Sequence, residues 1–223
     1  MKLLLTSAGI KNKSIADAMF DLVQKKPSDI TLAFIPTASN VELGDKDWLI
    51  EDLINLKNLG LKMIDIVDIS ALPREKWLPR LESADVLFFE GGNSYHLMEW
   101  IRKSGLEKDL PHLLESRVYV GSSAGSMVTN KDLALKLSQE LYGEDLERTD
   151  LMAGLCFVDF YLLPHLYSPY FLLRNKENIE TAIRGMKEVV YAMDDNSAIK
   201  IDGDDIKIVS EGKYLVFNEK VKS

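Results

Sequence analysis

With 223 residues, 46% of them apolar and 28% charged, the chain has the material for one domain spanning 1–223 with a large core, and the balance of a soluble protein. A formal charge of -8 without any dense Lys/Arg cluster argues against a nucleic-acid partner, because phosphate contacts need a basic face. The only cysteine, Cys156, cannot close an internal disulfide, and no stretch reaches the ~18 consecutive apolar residues of a membrane span, so a cytoplasmic location is expected.

LLLTSAG, from Leu3, reads as a strand ending in a small-residue turn; its apolar run stops at Thr6, too early for a signal peptide. Residues 14–25 have helical periodicity, with Ser14 as cap and Asp17 as its reciprocal third residue. ITLAFIPTAS, from Ile30, is a continuous apolar strand with Pro36 at its end. Residues 46–59 follow as a helix, and KMIDIVDI after Gly60 as a strand. ADVLFFEGGN, from Ala84, is the next strand, SYHLMEWIRKSG a helix that stops near Gly105, and residues 106–115 a further helix. RVYVGSSAG is a strand and turn that feeds helical residues from about Ser126.

Residues 131–150 are polar and read as a loop or short helices near the site. CFVDFYLLPH is a strand leading into a loop, with Cys156 expected to be a buried small hydrophobe. NKENIETAIRGMK is a polar helix. EVVYAMDD, SAIKIDGDDIKIVS and KYLVFN are short β runs whose Asp-Gly and Glu-Gly turns favour hairpins, an antiparallel addition to the sheet. Strands alternating with helices in this way predict an α/β fold with a mostly parallel sheet flanked by helices, closed by C-terminal antiparallel strands.

Gly121-Ser122-Ser123-Ala124-Gly125 matches G-x-S-x-G between an apolar strand and a helix, the context in which that pattern exposes a nucleophilic serine on a sharp turn. Ser123 is the expected nucleophile and Ser122 its rival. The Ala124 N–H, at a helix start, would face a developing oxyanion. Glu90-Gly91-Gly92-Asn93-Ser94 ends another apolar strand, where open α/β sheets bind ligands. Gly92 would give a second oxyanion N–H, Asn93 would donate to or orient substrate, and Ser94 would cap the next helix. Serine needs a base, and the chain has three histidines. His165, at the end of FYLLPH, is favoured over His96 and His112, which read as helix residues. Asp194 and Asp195 follow VVYAM and are the leading partners for His165; Asp159, Glu140 and Asp132 rank below them. The chain order serine, histidine, acid departs from the serine, acid, histidine order of α/β-hydrolases. No metal or other cofactor is required, since compact ligand spacing is absent from the sequence.

Together IPTAS, FFEGGNSYHL, VGSSAGSMV, LLPH and AMDDNSAI resemble the peptidase E family, serine peptidases that include α-aspartyl dipeptidase and cyanophycinase. The resemblance spans nearly the whole chain and implies a class I glutamine amidotransferase-like fold with serine in place of cysteine. It implies Ser123 as nucleophile, His165 as base, and Gly92 and Ala124 as oxyanion donors. The cyanophycinase branch implies Asp194 or Asp195 as the acid. The dipeptidase branch would put an acid where this chain has Ser138, with Glu140 close by. That branch also reads a substrate aspartate with a basic residue beyond the histidine. Arg174 is the nearest such residue, and a solvated surface arginine is its plainer reading. The implied activity is hydrolysis of small peptides, with dipeptides bearing an N-terminal aspartate as the narrower expectation. The alternatives are an amidase or esterase on another small acyl substrate, and an inactive ligand-binding homologue. A monomer or a homodimer fits the sequence equally.

Overall fold

The computed structural model describes residues 1–142 and 153–219. Its first half alternates strands and helices: β1 Lys2–Thr6, α1 Lys13–Val23, β2 Thr31–Ile35, α2 Thr37–Asn40, α3 Asp47–Asn58, β3 Met63–Ile66, α4 Arg74–Ser83 and β4 Val86–Phe89. Then come α5 Ser94–Lys103, α6 Leu106–Leu113, β5 Val118–Ser122, α7 Ala124–Met127, α8 Leu135–Tyr142 and β6 Tyr161–Leu163. The chain continues with α9 Lys176–Ala182, β7 Val190–Met193, β8 Ser197–Asp202, β9 Asp205–Ser210 and β10 Tyr214–Phe217.

Seven strands form one sheet in the order β3-β2-β4-β5-β1-β8-β9. The first five are parallel; β8 and β9 extend the sheet antiparallel from β1. Strand periodicity divides the core between the two faces. Leu3, Leu5, Ala33, Ile35, Leu87, Phe89 and Tyr119 pack with residues of α4, α5 and α6. Leu4, Leu32, Phe34, Val86, Phe88, Val118 and Val120 pack on the opposite face with α1 and α3. Burial on both faces is why these strands read as unbroken apolar runs.

The expected antiparallel addition is thus only part of the C-terminal arrangement. A separate three-stranded sheet, β10-β7-β6, takes the remaining runs, with β6 and β7 parallel and β7 and β10 antiparallel. Its apolar side is covered by Leu137 and Leu141 of α8 and Ile179 and Ala182 of α9. Of the polar stretch 131–150, α8 is helical, and residues 143–150 lie outside the described residues.

Two local expectations are corrected. Asn12, not Ser14, caps α1, its side chain accepting from the Ile15 N–H at 3.0 Å, while the Ser14 hydroxyl donates to Glu211. Cys156 is exposed rather than buried. The segment around it runs back along the end of α7, where the Leu155 N–H donates to Val128 O and the Phe157 N–H to Thr129 O. Cys156 has positive φ, 56°, and its side chain is exposed, while Leu155 and Phe157 on either side pack on the core. Among the described residues no helix is long and apolar enough to cross a membrane.

Candidate active site

The parallel strands all end at one edge of the sheet, and in-register pairing of Thr6 with Ser122 brings the turns after β1 and β5 together. Ser123 stands between β5 and α7 with φ 46° and ψ -105°, a left-handed conformation that costs a non-glycine residue of order 1–3 kcal/mol. The surrounding bonds hold it there. The Ser123 N–H donates to Thr6 O at 3.1 Å, and its carbonyl accepts from the N–H groups of Ser126 and Met127, each at 2.9 Å. The Tyr119 hydroxyl, in the core beneath, donates to Gly125 O at 2.6 Å. Gly125 has to be glycine, because a Cβ would lie 2.0 Å from Phe89 O. That close approach ties the β5 turn to the end of β4.

Gly92, in the turn after β4, has φ +124°, and a Cβ there would fall 2.3 Å from Ala38 O. A Cβ at the preceding Gly91 would come 3.4 Å from Ser123 Cβ, so this turn lies against the serine. The Ala124 N–H belongs to the first turn of α7, whose leading N–H groups have no intrahelical acceptor.

His165 follows β6 and also has positive φ, 64°. Its backbone N–H donates to Ser7 Oγ at 2.8 Å, which anchors it to the turn after β1. Phe171 stacks on its imidazole with ring centroids 4.7 Å apart and planes inclined 15°. Nε2 is 2.9 Å from Ser123 Oγ, and Nδ1 is 2.7 Å from Asp195 Oδ1. An ionised carboxylate only accepts, so Nδ1 carries the proton and Nε2 presents its lone pair to the serine hydroxyl. Burial raises the Asp195 carboxyl, but the hydrogen bond and charge of His165, the Ser7 hydroxyl and Lys11 outweigh it and hold it below its ordinary value. Ser7 Oγ lies 3.2 Å from both Asp195 Oδ1 and Met193 O, so one hydroxyl contacts His165 and Asp195 together.

Of the residues singled out in the sequence, Ser123, His165 and Asp195 are brought into one hydrogen-bonded row. Asp194 is not. Its carboxylate accepts from the Asn196 N–H at 3.0 Å, the Ser197 hydroxyl at 2.6 Å and the Lys213 N–H, which makes it the anchor of the β7–β8 turn. Ser122 is 2% exposed and its hydroxyl faces Asp52 instead. Asp132 accepts from the Tyr161 hydroxyl at 2.9 Å. Asn93, expected to meet substrate, caps α5 in place of Ser94: its Oδ1 accepts from the His96 N–H at 2.9 Å. His112 is an exposed helix residue, and the His96 ring lies beside Trp100.

Arg174 is neither a solvated surface arginine nor an open substrate contact. It is 1% exposed, its Nε donates to Pro164 O at 2.9 Å, and its guanidinium lies 3.8 Å over the Tyr142 ring. It braces the turn that presents His165, closed by the Tyr167 N–H donating to Arg174 O at 2.7 Å. Ser7 was missed in the sequence; its one signal is its place in a small-residue turn at a strand's carboxyl end, the edge where such sheets place their ligands.

Residues 3–209 match the model of peptidase family S51. An uncharacterised peptidase of Listeria monocytogenes serovar 1/2a is 29% identical over 178 residues, covering 79% of this chain and 84% of the relative. An uncharacterised peptidase of Pasteurella multocida is 27% identical over 175 residues, covering 75% and 81%. A crystal structure from Listeria monocytogenes EGD-e, of a protein provisionally called peptidase E, superposes with a TM-score of 0.76 at 25% identity over 95% of this chain and 98% of that one. A peptidase from an acI-B1 actinobacterium shares the fold, with a TM-score of 0.70 at 17% identity over 96% and 88%.

Proposed function

The chain belongs to peptidase family S51 and is a hydrolase of the serine peptidase type, and from that premise we propose that it cleaves small peptides through an acyl-enzyme on Ser123. The observation that carries this reading is the row Ser123 Oγ, His165 Nε2, His165 Nδ1, Asp195 Oδ1, with links of 2.9 and 2.7 Å.

In this reading His165 Nε2 takes the Ser123 proton as Oγ attacks the peptide carbonyl carbon. Asp195 stabilises the imidazolium and fixes its tautomer. The N–H groups of Gly92 and Ala124 receive the oxyanion of the tetrahedral intermediate. The imidazolium then protonates the leaving amine, the C–N bond breaks, and an ester to Ser123 remains. Water, giving a proton to His165, attacks that ester; the bond from Ser123 Oγ to the acyl carbon breaks, His165 returns the proton to Oγ, and the acid is released. The strain at Ser123 and His165 supports the assignment, since such conformations concentrate where a site must be preorganised.

The reading stops at small peptides. An N-terminal aspartate would need a cation facing the bound residue, and Arg174 is instead committed to Pro164 O and the Tyr142 ring. The test is mass spectrometry after treatment with a fluorophosphonate, followed by a screen of small peptides that includes aspartyl dipeptides. Covalent modification at Ser123 with turnover of a peptide is expected. A folded protein that takes no label at Ser123 would sink the nucleophile assignment. Turnover of aspartyl dipeptides alone would show that another cation reads the substrate.

A further inference from the structure

Three turns at the carboxyl edge of the sheet converge on a second group of ionisable side chains, which acyl transfer does not use. Asp52, on α3, is 4% exposed, and Glu90, at the end of β4, is 0% exposed. Glu90 Oε1 accepts from the Gly91 N–H at 2.8 Å, immediately before Gly92. Asp52 Oδ2 lies 3.5 Å from Ser122 Oγ, immediately before Ser123. The turn after β1 closes on the same carboxyl, since a Cβ at Gly9 would stand 2.5 Å from Asp52 Oδ2. Asp52 and Glu90 are in side-chain contact, yet Asp52 Oδ1 and Glu90 Oε2 are buried and receive no hydrogen bond among the described residues.

Two touching carboxylates cannot both stay ionised when buried. A protonated carboxyl has an O–H to donate, and an ionised one only accepts. A single proton between the two carboxyls therefore makes one of them a donor and leaves the other an acceptor. Burial raises both groups: Asp52 to about 6, and Glu90 well above the usual carboxylate range, where the Asp52 charge adds to the effect. The charged groups facing the pair are Lys11, 3.6 Å from Asp52 Oδ1, and Glu51, which Lys11 also binds at 2.8 Å. Lys11 acts on Asp195 as well, so one cation serves both acidic groups.

We propose that Asp52 and Glu90 share one proton, that this shared proton holds the Gly91–Gly92 turn in register with the Ser122–Ser123 turn, and that its loss at alkaline pH lowers the reactivity of Ser123. Asp52 and Glu90 are thus positioning residues for the oxyanion side of the site. With both ionised, their repulsion would act on the Gly91 N–H and the Ser122 hydroxyl that they hold. The inference rests on the reading of Ser123 as nucleophile.

The experiment is the pH dependence of the rate at which a fluorophosphonate labels Ser123 in the wild type, Glu90→Gln and Glu90→Leu. The wild-type rate should fall at least tenfold on the alkaline side. In Glu90→Gln the amide donates to Asp52 without a titrating proton and still offers an oxygen to the Gly91 N–H, so that fall should vanish. Glu90→Leu offers neither and should be slower than Glu90→Gln by roughly tenfold or more at every pH. The same alkaline fall in Glu90→Gln as in wild type, or no fall in wild type, overturns the proposal. Should Glu90→Gln fail to fold by circular dichroism, infrared spectra of the wild type decide: a protonated-carboxyl stretch at pH 7 that bleaches on alkaline titration is expected, and its absence overturns the shared proton. A wild type that takes no label at Ser123 refutes the nucleophile reading and the positioning role with it. Labelling with no dependence on Glu90 refutes the positioning role alone.

Discussion

Replacing Asp195 by Asn tests which of two adjacent aspartates serves His165. The carboxylate and the imidazolium it faces are in direct contact, 2.7 Å from Oδ1 to Nδ1. With charge centres about 4 Å apart and an effective dielectric of about 20, their attraction is about 4 kcal/mol. The Asp195 side chain is 41% exposed, so the screened dielectric is the appropriate choice. Losing that attraction in the transition state slows turnover by about 10³, at 1.36 kcal/mol per factor of ten. An Asn amide turned toward Nδ1 also favours the tautomer with its proton on Nε2, which cannot accept from Ser123, and the total loss approaches about 10⁴. The assay is kcat on the best small peptide, together with the rate of fluorophosphonate labelling. Asp194→Asn is the control, expected to lower thermal stability through the β7–β8 turn with a much smaller effect on kcat per folded molecule. A loss under tenfold in Asp195→Asn, with a large loss in Asp194→Asn, would refute the assignment.

Ser123→Gly and Ser123→Ala should both abolish labelling, but the glycine variant should be the more stable by about 1 kcal/mol, because it alone relieves the positive φ; equal melting temperatures would show that the turn is not strained. Gly92→Ala must move the Gly92 turn off Ala38 O and is expected to cut kcat by 10²-fold or more, to about the level of losing an oxyanion donor, with a lower Tm; unchanged kinetics would remove Gly92 from the site. Arg174→Ala should cost about 3 kcal/mol or more of stability, measured by urea unfolding, because it empties a buried position and strips the Pro164 carbonyl of its donors. A stable Arg174→Ala protein with only a raised KM would return this residue to substrate binding.

The parallel sheet was legible because each buried strand is an apolar run closed by small residues, as in FFEGG and VYVGSSAG. Ser123 stood out for its place between such a strand and a helix, and His165 because only three histidines compete. The choice between Asp194 and Asp195 was not legible. Adjacent residues in extended chain face opposite ways, so a one-residue difference in where β7 ends exchanges their roles. The split of the C-terminal strands between two sheets was hidden for a related reason, since Asp-Gly and Glu-Gly turns declare hairpins without saying which sheet receives them. Caps were misplaced at Ser14 and Ser94 because Asn12 and Asn93 are equally competent and the helices begin one residue earlier or at the expected residue itself. The bracing role of Arg174 and the place of Asp52 were not legible, because a buried charge is visible only once its partners, distant in sequence, are in place.

Asp194 makes the neighbourhood of the active site depend on a stretch of chain that never enters it. Its turn is completed by residues 211–213: the Asp194 N–H donates to Lys213 O, its carboxylate accepts from the Lys213 N–H, and the Glu211 N–H donates to Asn196 O. β10 then clamps β7 directly before this turn, with Tyr214 opposite Met193. Substitutions in residues 211–217 therefore reach the neighbourhood of His165 from outside the site, through the main-chain frame of one aspartate and not through any contact with substrate.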